Sequence, residues 1–247
     1  MLDSGVAAYE RGDYRAAQSR FESARREARV FRDNDARLGL TLQWLGYVYQ
    51  TLGRYADAEP QYRQSLAVFE KSQGRDSLDV ADSLNNLAVL FRAQRRDAAA
   101  EPLYRRALAI REKVLGSEHP DVATSLNNLA ELYDAQGRYA DAEPRYRRAL
   151  AIREKVLGPQ HPAVAASLNN LAALYQTQSR FTDAEPLYRR SIAIYEKVLG
   201  PDHPDVAASL DNLAALYRAQ GRDADAEPLH KRALAIREKT PPRATPK

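Results

Sequence analysis

The chain is 247 residues long, sets 37 Lys and Arg against 33 Asp and Glu for a formal net charge of +4, and contains no cysteine. The two charge signs are interleaved throughout, which argues against a nucleic-acid surface, because phosphate binding needs clustered cations. The missing cysteines exclude disulfides, thiol catalysis and thiolate metal sites. No apolar run reaches the roughly 18 residues that a membrane-spanning helix needs.

The chain opens with MLDSGVAAYERGDY, which carries acids early and lacks an apolar signal core, so it does not read as a secretory signal. The cytoplasm is the expected compartment, although zero cysteines fits an exported protein without its signal peptide equally well. The opening stretch resembles a shortened helix, as a boundary inside a longer protein would also produce.

Repetition dominates the remainder of the chain. Leu84, Leu126, Leu168 and Leu210 are 42 residues apart, and Asn85/Asn86, Asn127/Asn128, Asn169/Asn170 and Asp211/Asn212 ride with them. A fixed period of this size marks an array in which each unit buries its apolar face only against its neighbours. Within one unit, Val122, Leu126, Leu129, Ala130, Leu132 and Tyr133 fall at spacings of three and four, one stripe of a helix. Gly137 and Arg138 interrupt it. A second stripe runs through Tyr139, Ala142, Tyr146, Ala149, Leu150, Ile152, Val156 and Leu157 until Gly158 and Pro159 end it.

This register predicts helix pairs at 2–11 and 14–31, 35–52 and 55–73, 78–94 and 97–115, 120–136 and 139–157, 162–178 and 181–199, and 204–220 and 223–239. About six repeats result, at 1–33, 34–76, 77–118, 119–160, 161–202 and 203–239, the first of them degenerate. The tail 240–247 is Pro-rich and expected to be disordered.

Recurring polar residues have local explanations. Glu101/Arg105, Glu143/Arg147, Glu185/Arg189 and Glu227/Lys231 are acid-before-base pairs one helical turn apart, worth about 0.2 to 0.5 kcal/mol each on an exposed face. They read as a solvated outer surface. Pro60, Pro102, Pro144, Pro186 and Pro228 sit early in each second helix, where a missing N–H costs least. His119, His161 and His203 recur at the same spacing, but their column continues upstream as Ser77 and Asp35, so they read as helix N-caps. A metal would need ligands converging on one point, and none is expected; neither is any cofactor.

The pattern of Leu126, Leu129, Ala130, Tyr133, Gly137, Tyr139, Ala142, Tyr146 and Ala149 resembles the tetratricopeptide repeat (TPR). Its 42-residue form, with LNNLA, AEPLYRRALAI, REKVLG and HPDVA, is similar to the repeat array of kinesin light chains and their bacterial relatives. The resemblance implies an all-α, right-handed solenoid, a superhelix whose concave wall is lined by the first helices. It also implies a non-catalytic adaptor whose groove takes short peptides bearing an aromatic residue amid acids. The sequence departs from the pattern at some turns, with Arg95 and Ser179 in place of Gly, where a non-Gly residue in a left-handed conformation costs about 1 kcal/mol.

Asn128 lies about 100° from Leu129 on the helix wheel, off the apolar stripe. It and Asn86, Asn170 and Asn212 are therefore expected to line the groove, where an amide can donate to and accept from a peptide backbone. Asn85, Asn127 and Asn169 complete the pairs, and one amide of each pair could instead tie adjacent repeats together. Trp44 and Tyr47 are pocket candidates at one end, with Arg92 and Arg218 as charge partners on the same wall. Glu131 and Asp134 share that wall and set it against a purely acidic ligand. No phosphate loop and no acid/base or nucleophile constellation appears. A protein partner is expected, and no nucleic acid or membrane. The alternative is a structural or self-assembling module, or a regulatory array attached to another domain, since Leu234 and Ile236 leave the last helix apolar enough to pack on another chain.

Overall fold

The computed structural model describes residues 2–28 and 35–239. Among the described residues there are twelve helices and no strand: α1 (Leu2–Glu10), α2 (Tyr14–Ala28), α3 (Ala36–Thr51), α4 (Tyr55–Gln73), α5 (Leu78–Ala93), α6 (Asp97–Leu115), α7 (Pro120–Ala135), α8 (Tyr139–Leu157), α9 (Pro162–Thr177), α10 (Phe181–Leu199), α11 (Pro204–Ala219) and α12 (Asp223–Lys239). The expected continuation of the second helix to residue 31 and the tail 240–247 lie outside the described residues. The helices belong to two compact units, α1 to α6 within Met1–Ser117 and α7 to α12 within Glu118–Ala244. Inside each unit every helix packs on the next in the chain.

Helix starts follow the capping column. Asp35 and Ser77 accept from backbone N–H groups of the first turn, and His119, His161 and His203 do the same through Nδ1. An imidazole nitrogen that caps a helix in this way is a structural acceptor. The tight turns end first helices in a Schellman pattern: the Arg138 N–H reaches the Tyr133 carbonyl at 2.8 Å and the Gly137 N–H reaches Asp134 at 2.9 Å. The left-handed position falls on Gly137 at φ 71°, but on Arg95 at 58° and Ser179 at 59° in the departing repeats.

The core is a stack of repeated layers. Leu42, Leu84, Leu126, Leu168 and Leu210, with Leu45, Leu87, Leu129, Leu171 and Leu213, are all buried from the first helices, and Ala58, Ala100, Ala142, Ala184 and Ala226 from the second. Each such Leu contributes about 1.5 to 3 kcal/mol by leaving water. Small residues on the first helix let the aromatic of the second close in: a Cβ added at Gly46 would lie 2.6 Å from the Tyr62 ring.

Two expectations need correction. Val156 does not join the apolar stripe; it is 48% exposed, as are Val114 and Val198 to a similar degree. The second helix of the repeat, at 19 residues, is longer than the 16-residue first helix, and in its last turn Leu157 is half-buried while Val156 is left to solvent. The prolines are also deeper than the free first turn. Pro144 is the sixth residue of α8, so it withholds a hydrogen bond from the carbonyl four residues earlier, on Ala140.

Candidate functional site

The amide pairs of the first helices divide into two columns with different surroundings. In the first column, Gln43 donates to the Ser83 hydroxyl at 3.1 Å, and Asn169, three repeats on, donates to the equivalent Ser209 at 2.6 Å. These bonds run from one repeat to the next and staple neighbouring first helices together. Asn127 is buried and Asn85 half-buried, while Asp211 closes the column as a carboxylate held by His230 and Arg237 of α12. The Asn169 carbonyl oxygen is buried with no hydrogen-bond partner among the described residues.

The second column holds Trp44, Asn86, Asn128, Asn170 and Asn212. It is not uniform. Asn86 is only 6% exposed, and its amide oxygen accepts the Tyr47 hydroxyl at 2.8 Å. Asn128 is half-buried. Asn170 donates to the Asn127 oxygen at 2.9 Å and to Glu131 at 3.3 Å, and Asn127 donates to the same Glu131 oxygen at 2.7 Å. Asn212 is exposed, and no described side chain takes its amide. It lines an open depression of about 610 Å³ with Ala173, Gln176, Thr177, Phe181, Tyr188 and Ala215. That volume falls in the range of small-ligand sites, about 300 to 1,000 Å³.

Trp44 and Tyr47 are brought together in an aromatic cluster in which Trp44 is half-buried and Tyr47 stays 38% exposed. The Trp44 ring stacks on Phe21 with centroids 5.9 Å apart and 10° between planes, meets Tyr9 edge-on at 5.6 Å, and lies 5.8 Å from Tyr47. Tyr47 in turn stands perpendicular to Tyr62 at 5.9 Å. Burial, with Asp82 nearby, pushes the Tyr47 phenol above its ordinary pKa, so it stays a neutral donor. Arg92 is half-buried; Arg218 is exposed and has no carboxylate partner among the described residues.

Sequence reasoning missed the arginines that reach this wall from the second helices. Arg111 is buried and bonds Asp82 at 2.5 Å, and Arg153 donates to the Ser167 hydroxyl at 2.6 Å, with burial pushing its guanidinium pKa down. The signal was present: Arg111, Arg153 and Arg237 occupy one column 42 residues apart, but with Tyr195 between the last two.

The acid-base pairs of the outer face also do more than expected. Glu143 pairs with Arg147 at 2.8 Å, yet its side chain is only 22% exposed, because it also takes Arg180 at 2.8 Å and the Tyr175 hydroxyl at 3.0 Å from the following repeat. Arg180 in turn lies 4.0 Å from the Tyr175 ring centroid. Glu185, Arg222 and Tyr217 repeat the arrangement. Glu143 and Glu185 are therefore inter-repeat links, whereas the Glu227/Lys231 pair stays on a solvated surface, as expected.

Among curated proteins, none matches this chain. Solved structures do. BtubC (BKLC) from P. vanneervenii aligns with a TM-score of 0.78 and 29% identity over 94% of this chain and 92% of that one. A kinesin-light-chain-type protein of P. anserina, built of nearly identical TPR-like repeats, aligns with a TM-score of 0.72 and 31% identity over 83% of this chain and 96% of its own. Aspartyl phosphate phosphatase F from Bacillus subtilis aligns with a TM-score of 0.69 over 96% of this chain and 69% of that one, and at 14% identity it shares the fold alone. No helix among the described residues is long and apolar enough to cross a membrane. The tetratricopeptide repeat pattern itself matches residues 37–113, 79–155, 121–197 and 164–239, and the chain, an all-α repeat solenoid, belongs to the tetratricopeptide repeat family.

Proposed function

We propose that this protein is a non-catalytic adaptor that holds an extended segment of a partner protein on its first-helix faces, with amide side chains bonding the partner's backbone. The fold belongs to a family of protein-interaction modules, and one observation carries the finer reading. In the unit at 118–244, the exposed Asn212 amide keeps hydrogen-bonding capacity that the described residues leave unused. Ala166, Ala173, Ala208 and Ala215 stand at the same face, low enough for a backbone to approach. An amide offers two donors and an acceptor with two lone pairs, so it can hold a chain of varied sequence. Arg218 supplies a cation for an acidic residue of the ligand, whereas Glu131 and Asp134 oppose a wholly acidic one. Asn86, Asn127 and Asn170 are placed to shape the wall, their amides being engaged within the chain.

The test is a peptide selected by display against the intact chain and titrated into Asn212→Ala. Loss of one hydrogen bond should weaken it by roughly twofold to tenfold, with stability changed by less than about 0.5 kcal/mol. Unchanged affinity for every selected peptide overturns the reading. A second reading, self-association, is favoured by Leu234, which is 44% exposed on α12. Light scattering should then give a mass above one chain, and a monomer at high concentration rejects it.

A further inference from the structure

The repeats contain equivalent cells between successive first helices, and comparing what fills them points to a ligand. In the 1–117 unit the cell between α3 and α5 is occupied by the chain's own Tyr47, which keeps one side to solvent: its ring stands perpendicular to Tyr62 at 5.9 Å and its hydroxyl bonds the Asn86 oxygen at 2.8 Å. Tyr62 is fixed by donating to Gln50 at 3.1 Å. In the 118–244 unit the cell between α9 and α11 has the same walls. Tyr188 stands at the Tyr62 position and donates to Gln176, the counterpart of Gln50, at 2.9 Å; Asn212 stands at the Asn86 position. At the Tyr47 position, however, this repeat has Ala173, and the cell is the open depression of about 610 Å³.

We propose that this cell binds the phenol side chain of a tyrosine in the partner segment, with the ring against Tyr188 and the hydroxyl on the Asn212 amide, as Tyr47 sits in its own cell. The inference rests on the peptide-binding reading above and names the side chain that reading leaves open.

The intervening cell between α7 and α9 shows why the ligand is a phenol and not a carboxylate. There Glu131 stands at the Tyr47 position, held by the Asn127 and Asn170 amides, and Arg153 adds favourable charge. In the open cell the counterpart of Asn127 is Asn169, whose amide is committed to Ser209, and the counterpart of Arg153 is Tyr195. No cation is among the residues that line it. A neutral hydroxyl therefore suits Asn212, whereas a carboxylate or a phosphorylated tyrosine would be desolvated without a counter-charge.

The probes are N-acetyltyrosinamide, its phenylalanine analogue and its phosphotyrosine analogue, titrated into the isotope-labelled full chain by NMR. The tyrosine probe should shift the Asn212 side-chain amide and the Ala173 and Ala215 methyls. It should bind roughly threefold to tenfold more tightly than the phenylalanine probe, the span of one net hydrogen bond, and the phosphorylated probe should not bind there. Ala173→Tyr, its folding checked by circular dichroism, should fill the cell and abolish the shifts; Asn212→Leu should erase the preference for tyrosine over phenylalanine. No shift at the solubility limit, equal binding of the two neutral probes, or full binding to Ala173→Tyr overturns the proposal. Display-selected peptides that bind Ala173→Tyr as well as the parent chain sink the phenol cell but leave peptide binding standing. Occupancy by the probe when no peptide can be selected does the reverse.

Discussion

Asn86 and Asn212 have the same side chain at the same register, and their environments are opposite. Asn86 is buried and bonded by Tyr47, whereas Asn212 faces an open cell. Truncating Asn86 strands a partly buried phenol, and leaving such a donor unsatisfied costs about 1 to 3 kcal/mol. Asn86→Ala should lose that much in urea unfolding, while Asn212→Ala should change by less than about 0.5 kcal/mol; equal costs would show that the two amides share one structural role. This difference was not legible in the sequence. The 42-residue spacing marks both residues as equivalent, and their separation depends on which side chain the preceding repeat supplies, Tyr47 or Ala173. Those positions were in view, but only the packing shows that Tyr47 enters the cell of the next repeat. Trp44 and Tyr47 likewise stood out by type, while their ring contacts with Phe21 and Tyr62 needed coordinates.

At the scale of helices and turns, the sequence was more explicit, because its signals are local. Capping side chains and turn glycines act over a few residues, so helix starts such as His119 and His161 could be placed from spacing alone. What failed there involved length and depth: Val156 lies in the last turn of the longer helix and is left to solvent, and Pro144 lies past the free first turn. Ser179 holds φ at 59°, a conformation that Gly adopts without a Cβ clash. Ser179→Gly should therefore stabilise the chain by about 1 kcal/mol in chemical denaturation, and destabilisation would mean that the turn is not strained. The second-helix glutamates give a pH signature. Burial works to raise the Glu59 pKa, but hydrogen bonds from Arg96 and Arg63 outweigh it and hold the carboxyl below its ordinary 4.5. A depressed carboxylate adds stability above its unfolded pKa that is lost as pH falls through the folded one. Arg96→Ala should therefore flatten the decline of stability below pH 4.5, measured by melting across an acid series; an unchanged decline would exclude this pair as a contributor.

Across the molecule, repetition of one 42-residue pattern makes the fold legible and the ligand obscure. Leu, Ala and Tyr positions recur because each repeat must bury the same faces, and that constraint shows in any copy. The copies differ where the proposal places binding: Tyr47, Glu131 and Ala173 share one position and produce an aromatic ring bonded to Asn86, an acid held by two amides, and an open cell. The central claim is that a partner segment lies on the first-helix face through amides left open there. Backbone and side-chain NMR mapping of a display-selected peptide on the intact, labelled chain tests this most directly. The predicted perturbations fall on α9 and α11, centred on Asn169, Ala173, Asn212 and Ala215. Perturbations confined to the second helices or to the exposed side of α12 around Leu234 would contradict it.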